Sequence, residues 1–386
     1  MPCGNQIYVR LPYQSGTVAL AGAVIVGVTL VVLAAALSAT EARDPMSVVR
    51  FMARYLLGLA LLLALGRFLS DRVRLARLET ALVAGAVASV ALAGLGFFVP
   101  QLGDLTVRYG DRAQALLNHP NQFAMLLTAM APIALARALE RPRRSWGWVA
   151  FVLVAAGVGL TGSKANLLLL VVVVPTFAIL AAQLLPGARR RLGAAFAMSV
   201  GALAVGGVAF AIVRAFNPRT LATLERLFLD PANTTTVSLR REMWGTAIQR
   251  AVEQPWFGVG ADHSRFYLAH GHAHNVVIEF FLTLGVVGLV ALATLLLAVG
   301  GIAAVSLVAA FARRRSPYPD RLRLIAYPLV LATYVVANQS SDSFGSSTLP
   351  LLWIVVAMAL AQLELADRGH RRRAAPPPFA ASGASP

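Results

Sequence analysis

Long apolar runs separated by short polar connections fill most of this chain. Ten of them fall at 17–38, 48–65, 80–100, 120–136, 146–161, 165–185, 193–213, 276–311, 324–341 and 349–365. A helix crosses a bilayer in about 20 apolar residues, so the pattern predicts an all-α polytopic membrane protein with about ten transmembrane helices. The run at 276–311 is long for one crossing, which implies first turns at the interface or a strong tilt. The run at 146–161 is short. The same intervals divide the chain into an N-terminus at 1–16, a seven-helix part at 17–213, one long loop at 214–275, a three-helix part at 276–365 and a tail at 366–386. The tail turns Pro/Ala/Ser-rich after Arg373, the composition of a disordered segment.

Composition agrees with the pattern. Of 386 residues, 58% are hydrophobic and 13% charged, about half the charge of an ordinary soluble domain. The net charge is +17. In a soluble protein that excess would suggest nucleic acid, but here it sits in short loops between spans, where it sets orientation and meets anionic lipid. No nucleic-acid partner is expected. The single cysteine, Cys3, excludes an intrachain disulfide. The first 16 residues are polar and mixed, and the first apolar run is long enough to stay as a span, unlike a signal peptide.

The arginines alternate. Connections 66–79, 137–145, 186–192 and 312–323 hold four, four, three and five arginines, and the tail adds Arg368 and Arg371 to Arg373. The opposite connections, 39–54, 101–119, 162–164 and 342–348, hold six basic residues together, with Arg50 and Arg54 the weakest fit. Basic loops stay in the cytoplasm, so both termini are expected there and the loop 214–275 outside. Lys164, Asn121 and Asp342 then fall at outer ends of spans.

The outer loop ends in His270, His272, His274 and Asn275, just before the apolar run. Histidine exchanges a proton near neutral pH. The segment reads either as one working histidine, His274, with two solvated neighbours, or as an interfacial histidine capping the next helix. Alternating histidines can also share a metal, but no Cys or carboxylate cluster stands near to complete a site, and no metal is expected.

Earlier in the loop, 238–254 predicts a four-turn helix, with Ser238 as N-cap and Pro255 beyond its end. Met243, Trp244, Ala247, Ile248 and Ala251 form its apolar arc, with Arg240 in the middle, Arg241 at the edge and Arg250 on the far flank. A guanidinium on a buried face must be paired. It suits a bidentate phosphate, or an acid such as Asp262, or it snorkels to the membrane surface. Lys164, the one lysine among 34 basic residues, sits with Ser163 in a polar knot between two spans. It fits either an anionic headgroup or a tight hairpin with the lysine turned outward. Asn118 to Asn121 opens the fourth span as a turn and cap, with a sugar contact as the other reading. Gly258 to Gly260 reads as a flexible joint, since no strand precedes it as a nucleotide loop requires. The chain shows no Ser-His-Asp spacing, no nucleotide-binding P-loop and no paired carboxylates.

Taken together, these motifs resemble the bacterial O-antigen ligase and O-antigen polymerase superfamily. His274-Asn275, Gly285 and Gly288 match its ligase motif of His, then Asn, Ser or Gln, nine residues, Gly, two residues, and Gly, Thr or Tyr. Arg240, Trp244, Pro255 and Gly258 to Gly260 match a second pattern, an Arg four residues before a Trp, then Pro and Gly-Val-Gly. Ser163-Lys164 stands where the family has Ser-Arg, keeping the charge and losing the fork. Pro120-Asn121 looks like the family's Pro-Asn start of a span. The resemblance covers roughly 118–290, and ten spans are fewer than the family's usual twelve.

The resemblance implies a membrane glycosyltransferase of the inner membrane, working at the periplasmic face without metal, nucleotide or other cofactor. The donor is a glycan on polyprenyl (undecaprenyl) diphosphate and the acceptor a sugar hydroxyl, on lipid A–core for a ligase or on another repeat unit for a polymerase. His274 and Arg240 carry over as catalytic residues, and Lys164, Arg241, Asn275, Ser163 and Asn121 as substrate-binding ones. One large outer loop favours a ligase over a polymerase, which tends to have two. A lipid or polysaccharide transporter is the reading from a different class. Transporters place polar or broken helices near the midplane, whereas here the polar residues cluster at span ends.

Overall fold

The computed structural model describes residues 13–108, 112–117, 119–216, 235–269, 271–313, 316–339 and 348–374. Among them the chain is 83% helical. In order, the helices are α1 (Tyr13–Ser38), α2 (Pro45–Phe68), α3 (Arg72–Gly96), α4 (Pro100–Thr106), α5 (Pro120–Glu140), α6 (Ser145–Thr161), α7 (Lys164–Gln183), α8 (Ala188–Phe216), α9 (Thr235–Glu253), α10 (Val276–Ala312), α11 (Tyr318–Ala337) and α12 (Leu349–Ala374). Each of the ten expected spans coincides with a helix. Seven helices are long and apolar enough to cross a membrane, α6 is apolar but shorter, and the chain is a multi-pass membrane protein. α11 does not meet that measure because Asp320, Arg321 and Arg323 crowd its first two turns.

The connection after α3 holds more structure than a polar loop predicts. α4 is followed by a two-residue antiparallel hairpin, β1 (Val107–Arg108) and β2 (Arg112–Ala113), with Val107 opposite Ala113.

The bundle is built around α5, whose apolar stretch is 83% buried against 28% for α2 and α3. An α-helix with no lipid-facing side must be covered by protein all round, and α5 packs against α6, α7 and α11. α1 lies on α10 and α2 on α12, so the first and last parts of the chain belong to one bundle.

Charges in the basic half of the bundle meet one another. Glu79, near the start of α3, accepts from Arg137 on α5 at 3.1 Å and from Arg323 on α11 at 2.9 and 3.1 Å. The Tyr327 hydroxyl donates to the same carboxylate at 2.5 Å, and Arg323 also reaches Glu140 at 3.0 Å. Ionisable groups on spans are tolerated when they face the interior and pair. The network pins three helix ends at the end of the bundle opposite the long loop.

α10 is one long apolar stretch with a break. Gly285 has φ 65° and ψ −158°, outside helical geometry, so 276–284 forms a short first segment and 286–312 the long one. Breaking a helix frees backbone groups that must bond elsewhere. The turn after α9 supplies the partners. Val259 N–H donates to Leu282 C=O at 2.9 Å and Gly260 N–H to Thr283 C=O at 3.1 Å. In return, Val286 N–H donates to Pro255 C=O at 2.8 Å and Val287 N–H to Trp256 C=O at 3.3 Å. The 255–260 segment is therefore a fitted plug in the helix break, not the flexible joint its glycines suggested.

Candidate functional site

The site is assembled at the loop end of the bundle from three structures: the α6–α7 hairpin, α9, and the segment leading into α10. The hairpin is tight. Gly162 caps α6 with φ 60°, and Ser163 caps the start of α7. Ser163 N–H donates to Thr161 Oγ1 at 3.1 Å, and Asn166 Nδ2 donates to Ser163 Oγ at 3.0 Å. Thr161, Ser163 and Asn166 are buried, while Lys164 is half-buried at the rim. The hairpin reading thus explains the backbone and the buried hydroxyls.

The cation of Lys164 has company. The charges of Arg112 and Arg240 both bear on it. Arg112, on β2, donates through Nε to Thr161 C=O at 2.8 Å and through Nη2 to Asn121 Oδ1 at 2.9 Å. Asn121 therefore orients a guanidinium, and His119 Nδ1 accepts from the Asn121 N–H at 3.1 Å as the cap of α5. Sequence reasoning missed Arg112. Its only signal was a basic residue in a loop that should have few.

α9 begins at Thr235, three residues ahead of expectation, so Ser238 lies inside the helix and not at its cap. Its buried stripe is Met243, Ala247 and Ala251. Ile248 is 44% exposed and leaves the expected arc, since the face of α9 that packs on Val259, Leu268, Ala273 and Leu282 is the one that carries Ala247. Arg240, one turn before Trp244, is half-buried, and loss of hydration holds its guanidinium below the ordinary pKa. Arg241 is exposed, and Arg250 pairs with Glu253 at 2.7 Å. The acid proposed for Arg240 is engaged elsewhere: Asp262 pairs with Arg54 at 2.7 Å.

The histidine segment is held from both sides. Trp244 Nε1 donates to Ala273 C=O at 2.8 Å, and Ala273 N–H donates to Glu279 Oε2 at 2.8 Å. Ala273 is fully buried in a small core with Ala247, Val259, Leu268 and Leu282. His274 follows with φ 51°, a left-handed backbone uncommon outside glycine, although histidine adopts it more readily than most side chains. Asn275 is the N-cap of α10, its Oδ1 accepting from Val277 and Ile278 N–H at 3.0 and 3.1 Å. The cap is therefore asparagine and not His274. His272 Nδ1 lies 3.9 Å from Glu279 Oε1.

Next to this segment the loop is stapled to the α1–α2 connection. Asp44 N–H donates to His263 Nε2 at 2.8 Å, while His263 Nδ1 donates to Ala261 C=O at 2.8 Å, which fixes a neutral tautomer. Arg265 reaches Asp44 at 3.1 Å and Ser47 at 2.7 Å. Hydrogen bonding from Ser47 is the largest influence keeping the Asp44 carboxyl below its ordinary pKa. Arg50 pairs with Asp44 at 3.2 Å. The two arginines that fit the loop-charge rule least, Arg50 and Arg54, thus sit where carboxylates pair with them.

The structure therefore brings Lys164, Ser163, Arg240 and Asn121 to one end, with Arg112 among them, and ties the helix of Arg240 to the residue before His274. Arg241 stands apart on the exposed face of α9. His270, Asn118 and Asp342 lie outside the described residues. Among the described residues, no three His, Cys, Asp or Glu side chains gather as metal ligands.

Residues 149–293 match the family model described as O-antigen ligase, a stretch that runs from α6 through the first half of α10. The match supports the O-antigen ligase superfamily and, with it, a membrane enzyme of the glycosyltransferase kind acting on lipid-linked glycan. It includes Lys164, Arg240, His274 and Gly285 but not Arg112 or Asn121. No curated protein matches the sequence.

Proposed function

We propose, with the O-antigen ligase match as premise, that this chain is a ligase-type transferase. It moves a glycan from polyprenyl (undecaprenyl) diphosphate to a sugar hydroxyl of lipid A–core at the periplasmic face of the inner membrane. One observation carries the reading. Three cations, Lys164, Arg240 and Arg112, gather at the end of the bundle where Trp244 joins the Arg240 helix to the His272–His274 segment. Like charges held together repel, and a dianionic diphosphate relieves that repulsion.

The proposed chemistry needs little else. The acceptor oxygen attacks the anomeric carbon, the bond from that carbon to the phosphate oxygen breaks, and the diphosphate leaves on its lipid. Negative charge grows on the leaving oxygens, and fixed cations already aimed there stabilise it without reorganising. Arg240, partly withdrawn from water, is the stronger anchor, since a guanidinium holds two phosphate oxygens at once. His274 takes the proton of the acceptor hydroxyl. Asn121 acts through Arg112, and Ser163 through the hairpin that presents Lys164. Neither metal nor nucleotide is needed in this scheme, because the activated group is already a diphosphate ester. The arginine asymmetry of the loops supports cytoplasmic termini and a periplasmic site.

A ligase is favoured over a polymerase by the single long loop, 214–275. Deleting the gene and running lipopolysaccharide on a gel tests this. Undecorated core with every capped band lost means a ligase. A ladder reduced to one repeat on core means a polymerase, and an unchanged ladder rejects both.

A further inference from the structure

We infer that Ala273, gripped at its C=O by Trp244 and at its N–H by Glu279, fixes His274 against the Arg240 helix, so that Trp244 and Glu279 are positioning residues. The inference rests on the transferase reading given above.

His274 has a backbone that needs such a grip. Its φ of 51° is disfavoured for a side chain with a Cβ, and a disfavoured backbone persists only where the surroundings over-determine it. They do so here. Ala273, immediately before His274, is held at its C=O and at its N–H, and so at two successive peptide groups, by bonds of 2.8 Å from different helices. The residue immediately after it, Asn275, is committed to the helix cap. The Ala273 methyl is buried beside Ala247 of α9 and Leu282 of α10, so the residue is held between the two helices.

The two grips also tie the histidine to the cation. Trp244 lies one helical turn beyond Arg240, on the same side of α9. Glu279 lies on the short segment before the break at Gly285, which the 255–260 plug holds to the end of α9. The distance between the group that holds the leaving diphosphate and the group that receives the acceptor proton therefore passes through one clamped residue. Transfer depends on that distance, and a displacement of roughly 1 Å at a reacting group can cost about 10²-fold in rate.

The test uses the full chain in lipid nanodiscs, assayed with polyprenyl diphosphate-linked glycan and acceptor, with kcat and donor KM measured separately. Hydrogen exchange across 271–277 is followed on the same samples. Trp244→Phe keeps the ring and loses the donor. Glu279→Gln keeps an acceptor oxygen, and Glu279→Ala removes it. Trp244→Phe and Glu279→Ala should lower kcat by about 10- to 100-fold with donor KM within about 2-fold, and 271–277 should exchange faster. Glu279→Gln should recover most of both. Normal exchange and normal kcat in Trp244→Phe and Glu279→Ala overturn the clamp, as does a rise in donor KM that accounts for the whole loss. A Gln variant as poor as Ala, with normal exchange, assigns Glu279 to charge and overturns its positioning role. The exchange readout needs no turnover, so it separates the two ideas. No transfer by the parent chain sinks the transferase reading and leaves the clamp, read by exchange, standing, whereas full transfer by His274→Ala overturns the role of the clamped histidine.

Discussion

A Cβ placed on Gly285 would lie 2.4 Å from both the carbonyl carbon and the carbonyl oxygen of Trp256. The two backbones touch because the turn after α9 fills the break in α10. From the other side, a Cβ on Gly258 would lie 2.5 Å from the Thr283 carbonyl carbon. Two motifs about 30 residues apart in sequence are thus one structural joint, and their glycines are there for close approach.

Gly285→Ala should therefore fail as a protein before it fails as an enzyme. Its φ and ψ lie in a region nearly confined to glycine, which alone costs about 1–3 kcal/mol, and the clash adds displacement of the plug. Gly245→Ala is the control, a helical glycine with nothing near its would-be Cβ, and should be neutral or gain up to about 1 kcal/mol. Thermal melts in detergent check both. Equal melting of Gly285→Ala and the parent would show that the plug bears no stability.

Arg240→Lys keeps the charge and loses the fork, and should cost transfer about 10²-fold, the scale for removing one aimed donor. Arg241→Lys should be mild, since Arg241 is exposed on α9. Initial rates at saturating acceptor distinguish them, and equal small effects would remove Arg240 from the site.

Lys164→Arg should be tolerated, because it keeps the cation and adds a fork for phosphate oxygens, whereas Lys164→Ala should lose about 10-fold or more in kcat/KM for donor. Arg112→Ala should weaken donor use in the same direction and loosen Asn121, its partner at 2.9 Å. An alanine variant of Lys164 with full activity at normal protein level would make the lysine a surface anchor only.

His274→Ala should lower the rate by about 10²–10⁴-fold, the usual contribution of a general base, while His270→Ala and His272→Ala fall far less. Glutamine at 274 can hold the acceptor hydroxyl but cannot take its proton. If it works nearly as well as histidine, the residue positions the acceptor and the base role is wrong. Should all three alanine variants fail together, and zinc restore the chelated parent enzyme, a metal site is present instead.

A reporter fused after Pro386 that is active only in the cytoplasm should be active, and the same reporter inserted in 217–234 should not. The reverse pattern would invert the protein in the membrane and move the site to the cytoplasmic face.

The sequence by itself determined the spans, because crossing a bilayer demands uninterrupted apolar runs, and that demand is local. It also drew attention to Lys164 and His274, at the edges of apolar runs, and to Arg240, centred on the apolar arc of a helix, by contrast alone. Tertiary structure decided what these residues touch. Arg112 became part of the cation group only through bonds to Asn121 and Thr161, 9 and 49 positions away. Asp262 was withdrawn from Arg240 by Arg54, 208 positions earlier. Ile248 was left exposed although it lies on the expected arc, because which part of that arc meets a partner is decided by the fold and not by the periodicity of α9. Gly258 and Gly285 were visible as glycines, but not as a joint. Backbone hydrogen bonds carry no side-chain signature, so the plug in the broken helix could be read only from the folded chain.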